Sequence, residues 1–204
     1  MGDGRELQDL WPYGNDAVEM KIAGANTSGF ESATLLASAP ANRESLSRQL
    51  RQISALIHAD MPTRLYYVAY QGNSFDTHVH QADPHARLLA YSADAIRGFT
   101  EDLKRIGRSQ DVALMVFTEF GRRVEENGSL GTDHGTATPM FIIGDHVKGG
   151  LYGEHPSLTV LDDGNLIKTT DFRRVYATMI KEWLKFGETD KVLKGSFDSI
   201  GAFV

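Results

Sequence analysis

Apolar positions recur at helical spacing from Leu46, through Leu50 and Ile53, to Ile57, with Asn42 placed to cap the start. Pro62 marks a break. The run RLYYVAY over 64–70 is aromatic and apolar and reads as a buried strand, followed by a Gly72-Asn73 turn signal. Asp83-Pro84 opens a long helix with Leu89, Ile96, Phe99, Leu103 and Ile106 along one side, and Gly107 ends it. The run DVALMVFT over 111–118 is the strongest strand signal. Residues 121–138 are polar and Gly-containing, a loop, and 140–143 give a third short apolar strand. After a loop over 144–150, Leu151-Tyr152 pairs in a small hairpin with Leu166-Ile167. Asp171 caps a last helix with Val175, Met179, Trp183 and Phe186 inward. The tail from Gly187 is irregular but packed through Phe197, Ile200 and Phe203.

Strand, long helix, strand is a βαβ unit, which implies a parallel pair with a right-handed crossover. Helices on either side of it in the chain suggest a sheet covered on both faces. The fold class expected is therefore α/β, a three-layer αβα arrangement with a mostly parallel sheet. Residues 1–42 are poorly periodic and read as an irregular segment with short helices, anchored by Trp11, Tyr13 and Phe30. Residues 43–204 read as the α/β domain, a single domain overall.

Composition narrows the function classes. A chain of 204 residues with 41% apolar content can bury a core. Its net charge of −6 comes without a basic block, which argues against nucleic acid as the main partner. No apolar run reaches membrane-spanning length and no signal-peptide pattern opens the chain, so a soluble protein of unassigned compartment is expected. The absence of cysteine excludes disulfides and thiolate metal sites. Asn26-Thr27-Ser28 fits the glycosylation pattern and reads as a chance match.

Metal-friendly side chains stand in three places beside apolar runs: Asp76, His78 and His80 after the first strand; Thr118 and Glu119 at the end of the second, followed by Arg122 and Arg123; and Asp133-His134 before the third. Carboxylate with imidazole suits Zn²⁺, Mn²⁺ or Fe better than Ca²⁺. In an open α/β sheet, ligands bind beyond the carboxyl ends of strands, which collects the first two groups at one edge. Asp133-His134 joins them if the loop doubles back or its strand runs antiparallel. In an extended chain Asp76 and His78 share a face; on a helical turn Asp76 and His80 do. Read as structure alone, Asp76 caps a turn, Glu119 is a solvated carboxylate or pairs with Arg122 or Arg123, and Asp133-His134 is a hydrogen-bonded turn pair.

The segments SFDTHVHQ, VFTEFGR and GTDHGTATPMFIIGDHVKGGLYG, in this order, with RQLRQISALI upstream and DFRRVYATMIKEWL downstream, resemble the family of domain of unknown function 1501 over residues 43 to 204. That family is similar to the superfamily of alkaline phosphatases, sulfatases and cofactor-independent phosphoglycerate mutases. The resemblance implies a three-layer αβα fold with metal ions, Zn²⁺ first and Mn, Fe or Mg as alternatives. It implies hydrolysis or transfer of phosphate or sulfate esters, small anionic substrates. In one register Asp133-His134-Gly135 matches the superfamily's Asp-His-Gly metal motif. In the preferred register, Glu119 and Phe120 stand where its aspartate and histidine would be. Asp76, one of His78 or His80, and His134 then hold one metal. Glu119 remains as a lone ligand of a second site, and Asp133 orients His134. Arg122 or Arg123 grips an anionic substrate.

No amino-terminal strand followed by a nucleophilic Ser or Thr is visible, and Thr118 and Ser74 are substitutes by position only. The chain is expected to be the carboxyl-terminal part of such a protein. It acts as a metal-dependent ester hydrolase or the metal-binding half of one, or alternatively as a non-catalytic binding or assembly domain that self-associates or pairs with the missing half. Full-length relatives often carry twin-arginine export signals, which this chain lacks.

Overall fold

The computed structural model describes residues 45–70 and 74–204. The expectations for residues 1–42, for Trp11, Tyr13, Phe30 and Asn26-Thr27-Ser28, for the Asn42 cap and for the Gly72-Asn73 turn lie outside them. The chain divides into two compact units, one reaching Thr77 and resuming over Ala82–Ser109, the other comprising His78–Gln81 and Gln110–Val204.

The first unit is a pair of helices, α1 (Ser45–His58) and α2 (Ala82–Arg105). Their apolar stripes meet: Leu50, Ile53, Leu56 and Ile57 on α1 and Ala95, Phe99 and Leu103 on α2 are all buried. Each large side chain so buried contributes about 1.5–3 kcal/mol. Pro84 falls within the first helical turn, where backbone N–H groups have no intrahelical partner in any case, so its missing N–H costs nothing. At the far end Gly107 takes φ +70°, the left-handed turn that a Cβ disfavours.

Polar groups also reach this core. Asp102 is 4% exposed, accepts from the Ser54 hydroxyl, and is bound by Arg105 Nε at 2.9 Å and Nη2 at 2.6 Å. Replacing it with Ala strands the buried Ser54 hydroxyl and removes both Arg105 contacts. Asp102→Ala is expected to destabilise the protein by about 3 kcal/mol, read from chemical denaturation.

The second unit is built from three short antiparallel ladders. Strand β1 (Leu114–Val116) pairs with β4 (Phe141–Ile143) in the register Leu114–Ile143, Met115–Ile142, Val116–Phe141. Strand β2 (Gly121–Glu126) pairs with β3 (Thr132–Gly135), and β5 (Leu161–Asp162) with β6 (Asn165–Leu166). Helix α3 (Phe172–Thr178) runs into a π-helical turn over Met179–Trp183, and α4 (Thr189–Leu193) follows. The tail is packed as expected. Phe203 bridges Val147 and stacks on Trp183 at 5.4 Å, and the buried Thr178 hydroxyl accepts from Ile200 N at 2.9 Å.

Asp171 caps α3, accepting from Arg173 N at 2.9 Å and from the Arg173 guanidinium at 2.9 and 2.6 Å. These bonds favour the ionised form and hold its carboxyl well below the usual carboxylate range. A depressed folded-state pKa gives stability that is present above the unfolded value, near 3.9, and is lost as pH falls below it. Asp171→Ala is expected to cost about 1 kcal/mol near neutral pH. The difference from the parent should shrink as denaturation is repeated below about pH 4.

The three-layer, mostly parallel αβα fold is overturned. Among the described residues every ladder has two strands and is antiparallel, and no parallel pair occurs. Residues 64–70 form no strand, and Leu65 and Tyr67 are 70% and 58% exposed. The inferred βαβ crossover therefore has no first strand, and its second strand pairs with β4 instead. An apolar run such as DVALMVFT marks a strand that can be buried but carries nothing about the direction of its partner. The hairpin placed on Leu151-Tyr152 is also displaced: Leu151 is fully exposed, and the hairpin forms ten residues later around Asp163-Gly164. Asp163 and Gly164 both take positive φ, as a two-residue turn of this hand requires.

Candidate metal centre

The polar stretch expected to be a loop is the β2–β3 hairpin, and it carries the site. Its turn begins at Asn127-Gly128, and Asn127 Oδ1 accepts from Ser129 N at 2.9 Å and Gly131 N at 3.1 Å. Asn127 N in turn donates to Gly131 O at 2.8 Å. The segment His78–Gln81 docks on the tip of this turn. His80 N donates to Ser129 O and Gln81 N to Leu130 O, each at 2.9 Å, and the Thr132 hydroxyl donates to Gln81 Oε1 at 2.8 Å. Asn127 Nδ2 reaches the His78 carbonyl at 3.2 Å. Gly131 makes this approach possible, because a Cβ there would run into the His78 peptide.

The docking brings two imidazoles together. His78 Nε2 and His134 Nε2 are 3.1 Å apart, with ring centroids at 4.7 Å. Asp76, two residues ahead of His78 in a stretch that is neither helix nor strand, adds a carboxylate. One ligand atom from each of Asp76, His78 and His134 lies within 4.8 Å of the others. Two nitrogens bound tetrahedrally to one Zn²⁺ at their usual 2.0–2.1 Å lie about 3.3 Å apart, so the imidazole pair already has nearly the separation a shared ion requires. Two nitrogens and a carboxylate oxygen form a three-ligand set that leaves a fourth tetrahedral position for water or substrate.

Neighbouring groups fix the rings. Phe120 stacks on His134 at 3.8 Å with the planes 12° apart. Asp133 Oδ1 lies 3.6 Å from His78 Nδ1, the ring nitrogen that faces away from His134. Asn127 Nδ2 donates to Asp133 at 3.1 Å, and this bond, with the nearby His78 ring, holds the exposed Asp133 carboxyl below its ordinary range. Arg122 stands directly across the ladder from His134, with its guanidinium carbon 5.2 Å from the Phe120 centroid and Nη1 donating to Thr132 O at 2.6 Å.

The other sequence candidates fall elsewhere. His80 takes φ +44° and is exposed, and it is not part of the three-residue group. Glu119 is exposed and accepts from the Thr118 hydroxyl at 3.2 Å, outside that group. Asp133 lies beside His78, whereas the sequence placed it behind His134. Arg123 pairs with Asp163 at 3.7 Å. The sequence reading did not single out Asn127, Phe120 as a stacking partner, or Gly131 as the point of close approach. Asn127-Gly128 is the strongest short-range hairpin signal a sequence carries and could have revealed the turn.

A family model described as a protein of unknown function, DUF1501, matches residues 19–182. The chain belongs to that family. The match spans the segment carrying Asp76 and His78 and the whole β2–β3 hairpin, so the candidate site of this DUF1501 chain lies inside the matched residues. No curated protein and no solved structure matches the chain. Among the described residues no helix is long and apolar enough to cross a membrane.

Proposed function

We propose that this DUF1501 chain holds a divalent metal ion, Zn²⁺ in the first instance, on Asp76, His78 and His134, and hydrolyses phosphate or sulfate esters there. The observation that carries this reading is the 3.1 Å approach of His78 Nε2 to His134 Nε2 with the Asp76 carboxylate inside the same 4.8 Å group. An ion held by such a set supplies Lewis acidity, polarising the ester oxygen that is to be cleaved. The chain's own residues do the rest. His78 and His134 present their Nε2 atoms to one another from two segments joined by backbone hydrogen bonds. Phe120 keeps the His134 ring from rotating, and Arg122, across the ladder, sets a permanent positive charge beside the site, suited to an anionic ester.

The fold expected from a likeness to the phosphatase and sulfatase superfamily is not the one found, so the ester chemistry is proposed from the ligand set and the neighbouring arginine alone. The test is turnover of aryl phosphate and aryl sulfate esters by the metal-loaded chain. Expected is activity lost on chelation and restored by Zn²⁺ or Mn²⁺. A preparation that retains metal yet cleaves neither ester class contradicts the hydrolase reading and leaves a metal-binding module, the non-catalytic alternative.

A further inference from the structure

The geometry points to Asn127 as the positioning residue of the site, fixing which nitrogen of His78 faces His134. The inference rests on the metal reading above and adds a residue that reading does not require. A ring nitrogen binds a metal only when it carries no proton, and which nitrogen is bare depends on what the other one meets. On His78 the Nδ1 side meets Asp133, which can only accept while ionised, so the proton belongs on Nδ1 and Nε2 is left bare toward His134.

Asp133 stays on that side because Asn127 holds it. A single amide binds four groups. Its Nδ2 donates to Asp133 at 3.1 Å and to the His78 carbonyl at 3.2 Å, and its Oδ1 accepts from Ser129 N at 2.9 Å and Gly131 N at 3.1 Å. The acceptor half shapes the turn; the donor half fixes His78 and its carboxylate partner in one frame. Aspartate at this position keeps the first half and loses the second, and it sets a like charge against Asp133.

Two variants and two readouts separate positioning from folding. Long-range proton–nitrogen NMR on the zinc-free full chain is expected to find His78 protonated on Nδ1, with a mixture of tautomers in Asn127→Asp and Asn127→Ala. Competition with a chromophoric chelator is expected to show zinc affinity falling 10- to 100-fold in both, the range typical of outer partners of metal-binding histidines. Asn127→Asp added to Asp133→Asn should weaken zinc by less than the sum of the two single losses, because the two share the contact between Asn127 and Asp133. Asn127→Asp with the parent's melting temperature, tautomer and zinc affinity would overturn the inference. Should the unmodified chain take up no zinc, the metal reading fails by itself, while the tautomer comparison still decides the role of Asn127.

Discussion

Gly131→Ala is expected to dismantle the site and destabilise the second unit. Gly131 is buried at the hairpin tip, and any Cβ there falls well inside contact distance of the His78 carbonyl oxygen and carbon. The Cβ is fixed rigidly to its own backbone and the atoms it meets are backbone, so no side chain can swing away to relieve the clash. The space must come from lifting the turn off His78–Gln81, which breaks the two backbone bonds from His80 and Gln81 and the bond from Asn127 to His78 O. Overpacking of this kind costs about 1–3 kcal/mol. Loss of the imidazole juxtaposition should weaken zinc by more than about 100-fold, beyond the loss typical of an outer partner. Gly128→Ala, three residues away in the same turn, meets nothing within 4 Å and serves as the control for a general effect of alanine. A Gly131→Ala protein that melts and binds zinc like the parent would show that the close approach is not needed.

His134→Ala is the second large effect. His134 is exposed on the hairpin surface, stacking on Phe120 beside the tilted His78 ring, and a surface substitution of this kind should leave stability within about 1 kcal/mol of the parent. Metal binding behaves differently. Two remaining ligands, Asp76 and His78, do not hold Zn²⁺ tightly, and affinity should fall more than about 100-fold, exceeding an outer-partner loss. His80→Ala, whose side chain is outside the group, should bind as the parent does. Equal losses in the two variants would mean that the imidazoles act only through general charge or surface chelation.

How much of this was legible beforehand varies by element. Helices α1 and α2 announced themselves because Leu50, Ile53 and Ile57, and Phe99 and Leu103, repeat at the spacing that one buried stripe demands. Asp171 was readable as a cap because a short acceptor before an apolar-periodic run has few other uses. Sheet architecture was not readable. Residues 64–70 have the composition of a strand, but a ladder depends on a partner, and none pairs with them among the described residues. The β2–β3 hairpin was hidden for a different reason. Arg122, Arg123, Glu125, Glu126, Asp133 and His134 are polar on both faces, so the period-two alternation that betrays a half-buried strand never appears. Asp76, His78 and His134 could be singled out as residue types. Choosing His78 over His80 needed the backbone, because His80 turns into the left-handed region and falls outside the group that His78 joins. Nothing in the sequence pairs Asp133 with His78 rather than with its neighbour His134.

The central claim is that Asp76, His78 and His134 form one metal site, and metal stoichiometry tests it most directly. The purified chain is loaded in turn with Zn²⁺, Mn²⁺ and Fe²⁺, dialysed exhaustively, and measured by inductively coupled plasma mass spectrometry beside Asp76→Ala, His78→Ala and His134→Ala. About one ion per parent chain is expected, with Zn²⁺ retained best, and little or none in each variant, as three protein ligands with an open fourth position would give. A parent chain that retains no ion under any loading, or variants that retain as much as the parent, would contradict it.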